Sequence, residues 1–271
     1  MSAADAAGAR ARPVSWIDLW KSAALLLILI DHVGFYLLPE QPWLLAVGRA
    51  ALPIFFFLIG FAGPRRAPWF WWAAGAALTA LDIWRAGSAA DATLNILINF
   101  ALIRLALPLI ERHLAGDWRR MGLFALVLAA AAPWTGPYIE YGTAGWLLAL
   151  VGLAHRRALA AGPDKPRDPA WLTRRALGAG ATALYIGLEL HDYEFPVFET
   201  WIMAAGVIGV SGLLLRFRPG DARPKPPAWL AHGLRIGGRR SLEIYIAQIV
   251  GLMALGLALG IAPADSDGDE E

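Results

Sequence analysis

Asp31 and His32, neighbours in the stretch LILIDHVGFYLLPE, are the first side chains that could do chemistry, because both interrupt an otherwise apolar run. A charge near the centre of a bilayer costs about 2.5–3.5 kcal/mol on insertion scales, so such groups face a bundle interior, where they pair or line a polar path. Arg49, Asp82, Arg104, Glu199 and Glu243 break other apolar runs, joined by Asn95, Asn99 and Gln248. His32 is the group whose unperturbed titration lies nearest neutrality, which suits it to general base catalysis. Adjacent helical residues point about 100° apart, so Asp31 is badly placed to orient the His32 ring. The expectation is that Asp31 pairs with Arg49 across the first hairpin, leaving His32 to another acceptor, Asp82 or an asparagine. The competing readings are a purely structural Asp31–Arg49 pair, a packing or gating role for His32, and wetted interfacial positions for Asp82 and Glu199. No metal site is expected, because none of the five His is three or four residues from another.

The elements that must position these residues are membrane helices. The 271 residues are 58% hydrophobic with 13 Trp, and the mean hydropathy of +0.49 exceeds that of an ordinary soluble domain. A crossing helix needs roughly 20 mostly apolar residues, and that ruler marks nine segments: about 16–38, 43–63, 68–86, 92–110, 120–133, 142–154, 173–190, 197–215 and 241–262. The fifth and sixth are short and flank Pro133 and Pro137, so a re-entrant pair is the alternative. Lys and Arg cluster in alternate loops, while Glu40, Asp91, Glu140, Asp192 and Glu194 occupy the others. By the positive-inside rule the N-terminus is cytoplasmic and the C-terminus outside. The expected organisation is an all-α integral membrane protein: a cytoplasmic segment 1–15, one polytopic bundle of about nine helices over 16–262, and an acidic disordered tail 263–271. The first apolar run lacks a cleavage signal and reads as a retained helix.

Topology turns the polar residues into a layer. At about 1.5 Å of rise per residue, His32 lies roughly 9 Å below the outer surface, and Arg49 at the same depth. Asp82, Asn95 and Asn99 fall in the same stratum, with Asn95 and Asn99 on one face at i, i+4. With no cysteine there is no disulfide or thiolate chemistry. No phosphate-cradling Gly loop or nucleic-acid-binding stripe is present, and topology accounts for the basic loops.

The tandem stretches ALLLILIDHVGFYLLP and WLLAVGRAALPIFFFLIGFA resemble the opening of the TraX family of conjugal-transfer proteins. The residues that carry the likeness are Asp31, His32, Val33 and Gly34, then Gly48, Arg49, Leu52, Pro53 and Phe55, with a weaker match at Tyr141-Gly142. The chain is also similar to the membrane acyltransferase-3 superfamily in the spacing of Asp18, Lys21 and His32 and in GRRSLEIYIAQIV, where Gln248 replaces a His. These resemblances imply acyl transfer, with acetyl-CoA or another acyl-CoA as co-substrate at the cytoplasmic face and no metal cofactor. They imply a pilin-like amine as acceptor, an envelope glycan or lipid being the alternative. Together with the polar layer they point to His32, Arg49 and Asp31 for catalysis and to Lys21, Asp82, Asn95, Asn99 and Tyr141 for substrate contacts. The expected setting is the bacterial inner membrane, with membrane lipids as partners and no nucleic acid. A non-enzymatic transporter or assembly factor is the rival from another class.

Overall fold

The computed structural model describes residues 13–63, 65–86, 92–114, 116–162, 169–220 and 224–261. Arg10, Arg12, Asp91, Lys165, Arg167 and Arg223, nearly all of the 1–15 segment and the whole acidic tail lie outside them. The described residues are helical apart from turns, connecting loops and one isolated bridge between Leu94 and Ile139. In chain order the helices are α1 Trp16–Leu37, α2 Pro42–Gly48, α3 Ala51–Ala62, α4 Trp69–Ala86, α5 Ile96–His113, α6 Trp118–Thr135, α7 Gly142–Ala161, α8 Pro169–Asp192, α9 Val197–Arg216, α10 Ala228–Arg239 and α11 Ser241–Leu259.

Each expected segment holds a helix, with differences that matter for the count of crossings. Among the described residues, four stretches can cross a membrane by length and hydropathy: Trp16–Leu37, Pro42–Ala62, Val197–Arg216 and Ser241–Leu259. The other five dilute their hydropathy with charged, small and polar residues, so these criteria bear out four of the nine expected spans. The short segments at 120–133 and 142–154 extend into α6 and α7, of 18 and 20 residues, packed against each other. The connector before the last segment contains α10, a 12-residue amphipathic helix that packs on α1. Its short length and its arginines hid it from a ruler made for crossing helices.

Polarity runs inside out relative to a soluble protein. Leu105, Leu126, Ile208 and Leu257 point outward, while Asp31, Arg49, Asn95, Asn99 and Glu189 are buried. The pillar of the bundle is Pro42–Ala62: 89% of its apolar stretch lies inside, against 33% for α1 and 22% for α9 and α11. α3 packs on α1, α5, α7 and α9. Its closest partner is α7, because Gly60 and Gly152 let backbones touch; a Cβ on Gly152 would fall 2.9 Å from the Phe57 carbonyl carbon.

This pillar is broken at Arg49 and Ala50. Pro53 has no N–H to donate to the Arg49 carbonyl four residues earlier, so the helix loses that bond. The Tyr185 hydroxyl from α8 donates to the same carbonyl at 3.0 Å, which satisfies an acceptor that would otherwise be buried without a partner. The break turns Arg49 toward α1, and Gly48 permits the approach: a Cβ there would lie 2.7 Å from the Asp31 Cα.

Candidate functional site

Polar residues of α1 and α4, of the break after α2 and of the cap of α5 converge on a chamber of about 170 Å³. Asp31, His32, Arg49, Asp82, Asn95 and Tyr141 line it, together with Arg85, Glu140, Tyr193 and Tyr245. Arg49 is its fixed centre. Its Nε lies 2.9 Å from Glu189 Oε2 and its Nη1 3.7 Å from Asp31 Oδ1. Nη1 also donates to the Tyr141 hydroxyl at 3.2 Å, and the guanidinium sits 4.2 Å from the centre of the Tyr193 ring. One buried cation therefore faces two carboxylates from different helices. Removing a partner from such a pair strands a buried charge and costs about 3–5 kcal/mol.

Glu189, absent from the polar layer drawn from the sequence, makes the shorter contact with Arg49. A signal for it exists: Tyr185, Glu189 and Tyr193 recur every four residues and so share one helical face. All three reach Arg49: Tyr185 at its carbonyl, Glu189 at its Nε, and Tyr193 with its ring face against the guanidinium.

His32 is placed differently from the expectation. Its Nδ1 is buried with no hydrogen-bond partner, and its ring neighbours are Tyr36 at 6.0 Å and Tyr245 at 5.9 Å between centroids. The acceptors foreseen for it are engaged elsewhere. Asp82 pairs with Arg85 at 3.6 Å. Asn95 caps α5 by accepting the Leu97 N–H at 3.1 Å.

The two asparagines separate because α5 begins at Ile96, which makes Asn95 the cap rather than a residue of the helix. Asn99, fully buried, does not line the chamber. Its Nδ2 donates to the carbonyls of Glu140 and Gly142 at 2.8 and 3.0 Å, and its Oδ1 accepts from Trp146 Nε1 at 2.8 Å. It straps the turn before α7 onto α5. In that turn Tyr141 adopts a left-handed conformation with φ 62°, which costs on the order of 1–3 kcal/mol for a residue other than glycine. The strap and the Tyr141–Arg49 hydrogen bond hold it there. Glu140 accepts the Ile96 N–H at 2.8 Å. Burial pushes its carboxyl up to about 7 even though that hydrogen bond pulls the other way.

Lys21 stands apart from this chamber. Its Nζ donates to the Gly238 carbonyl at 3.2 Å, and it borders a second cavity nearer the start of α1. Asp18 is the other half of a capping box with Ser15, a structural use of the carboxylate. Glu199 and Glu243 fall in the first turns of α9 and α11, where the helix dipole favours an acid. Among the described residues no cluster of His, Asp and Glu could hold a metal ion.

Apolar outer faces, four stretches of crossing length and an internal charged chamber together fit a helical membrane protein with a buried polar site. The chain belongs to the TraX family, whose profile, described as TraX protein, matches residues 17–172. Protein TraX of Escherichia coli is 29% identical over 222 residues, covering 76% of this chain and 81% of that protein. Protein TraX of Escherichia coli strain K12 is 28% identical over 226 residues with the same coverage. An uncharacterized protein of Rickettsia prowazekii is 43% identical over 44 residues, which is 16% of this chain and 18% of the relative. No solved structure matches. The matched region contains Asp31, His32, Arg49 and Tyr141, whereas Glu189, Tyr193 and Tyr245 lie beyond it.

Proposed function

We propose that this chain is an integral membrane acyltransferase and that the polar chamber is where transfer occurs. The observation that supports this most is His32, an imidazole with an unpartnered buried ring nitrogen, on the wall of a chamber whose other acids and bases each meet an ion-pair or hydrogen-bond partner. The donor is an acyl-CoA, acetyl-CoA by the family likeness, and the acceptor is an amine or hydroxyl, a pilin-like N-terminus by the same likeness. His32 takes the proton from the acceptor N–H or O–H as the new C–N or C–O bond forms. The C–S bond of the thioester breaks, and His32 returns the proton to the departing thiolate, leaving a free thiol. Arg49, committed through Nε and Nη1, acts as a positioning residue that holds Asp31, Tyr141 and Glu189 in register around the chamber. Asp82, Asn95 and Tyr141 contact the acceptor.

This reading carries the remaining topology with it. All nine long helical stretches cross a bacterial inner membrane, with the N-terminus in the cytoplasm and the chamber in the outer half. α6, at 18 residues, is about 27 Å long, within the range that local thinning accommodates.

The test is transfer of labelled acetyl from acetyl-CoA by the purified, detergent-solubilised chain. His32→Ala, checked for folding by size exclusion, is expected to lose on the order of 10²–10⁴ of the rate, the usual worth of a general base. A folded variant that transfers label as fast as wild type overturns the role of His32.

A further inference from the structure

The polar chamber shares a wall with a second one. Ile28, Ile96 and Tyr245 line both the polar chamber and an apolar cavity of about 300 Å³ that extends toward the start of α1. A cavity of about 150 Å³ holds a benzene ring, so this one has room for a substantial organic ligand. Its walls include Phe55, Ile59, Phe100 and Leu242, and its charged lining is Lys21, Arg65 and Arg104, with no carboxylate. Like charges gathered at one end of a low-dielectric cavity repel one another unless an anion joins them. The Asp18 carboxylate near Lys21 is committed to capping α1. The Arg104 Nε is buried with no hydrogen-bond partner, and its Nη1 reaches the Gly63 carbonyl only at 3.5 Å. The site is thus an apolar sleeve with an anion-seeking mouth.

Resting on the acyltransferase reading, we propose that this apolar cavity seats the arm of a phosphopantetheine-type acyl donor. Its phosphates meet Lys21, Arg65 and Arg104, and Tyr245 is the partition that the thioester end must pass to reach His32. Lys21 and His32 are eleven residues apart on one helix, a rise of about 16 Å, which is comparable to the reach of an extended phosphopantetheine arm. That span selects the donor class. In a phospholipid the ester carbonyl lies close to the phosphate and would stay below the partition. In an acyl-CoA the reacting carbonyl sits at the far end of the arm.

Tyr245 is well built for a partition. It lines both cavities, and its ring lies 5.9 Å from the His32 ring. Rotation about its side-chain torsions swings the ring aside without unravelling α11.

The experiment measures binding and transfer separately. Affinity for a non-transferable thioether analogue of acetyl-CoA is read by thermal stabilisation of the full chain in detergent. Arg65 is exposed, so Arg65→Gln folds, and it should weaken the analogue at least fivefold with a shallower salt dependence. Ile59→Trp, which fills the cavity, should weaken it at least tenfold, and His32→Ala should bind it as wild type does. Tyr245→Ala should raise hydrolysis of acetyl-CoA without acceptor at least tenfold, because water from the polar chamber then reaches the thioester and releases acetate and free thiol. Wild-type transfer with undiminished analogue affinity in both Arg65→Gln and Ile59→Trp overturns the seat while leaving the acyltransferase reading intact. Analogue binding that these variants weaken, with no transfer by wild type to any acceptor, supports the seat and overturns that reading. Stabilisation by phosphatidylglycerol that competes with the analogue overturns the choice of donor class.

Discussion

Replacing Tyr185 by Phe tests whether the broken pillar is held as described. The substitution keeps the ring and creates no sizeable cavity, but it removes the hydroxyl that donates to the Arg49 carbonyl at 3.0 Å. That carbonyl belongs to a residue 4% exposed, and leaving a buried acceptor unsatisfied costs about 1–3 kcal/mol. The folding equilibrium should fall by roughly 5- to 150-fold, with each 1.36 kcal/mol worth a factor of ten. The same hydroxyl also interacts with Glu189, so a second background is needed to isolate the carbonyl's share. Pro53→Ala supplies an N–H that can close the missing helical bond to Arg49. The loss from Tyr185→Phe in that background should therefore be less than half the loss in the native one. The assay is equilibrium unfolding in mixed micelles titrated with a denaturing detergent, followed by tryptophan fluorescence, for all four members of the cycle. Equal losses in the two backgrounds would refute the idea that Pro53 orphans the carbonyl and Tyr185 rescues it.

Gly48→Ala should destabilise the chain by at least about 1–3 kcal/mol in the same assay, the usual cost of overpacking, since its Cβ meets Asp31 backbone. It should also depress acyl transfer by spreading Asp31 from Arg49, whereas unchanged stability would mean that α1 and α2 can part freely. Glu140 has its folded pKa raised by burial to about 7 from an ordinary 4.5. Its favourable contribution is therefore fully present below about 4.5 and lost as pH rises through about 7. Thermal stability of wild type should decline across that window, Glu140→Gln should flatten the decline, and an unchanged profile in the variant would exclude Glu140 as its source.

A large part of this protein is written in the chain. Apolar runs of membrane length, with charges too costly to face lipid, dictate a helical bundle with a polar interior. Depth counted along the helices was enough to group His32, Arg49, Asp82 and Asn95, all of which line one chamber. The Asp31–Arg49 pairing follows from a short hairpin between neighbouring helices, and its 3.7 Å separation is observed.

Tertiary structure decided the rest, because contacts between distant helices depend on rotation and close approach, which periodicity does not specify. Glu189 meets Arg49 from 140 positions away in the chain. Asn99 binds the turn before α7 rather than the chamber because α5 starts one residue after Asn95. Lys21 belongs to a separate cavity, since eleven residues of helix carry it too far from His32. The break at Arg49 needs Pro53, which the sequence displays, and the Tyr185 hydroxyl, which only the packing of α8 brings to it. Tyr245 lines both cavities because α11 returns along α1, an arrangement that no local pattern encodes.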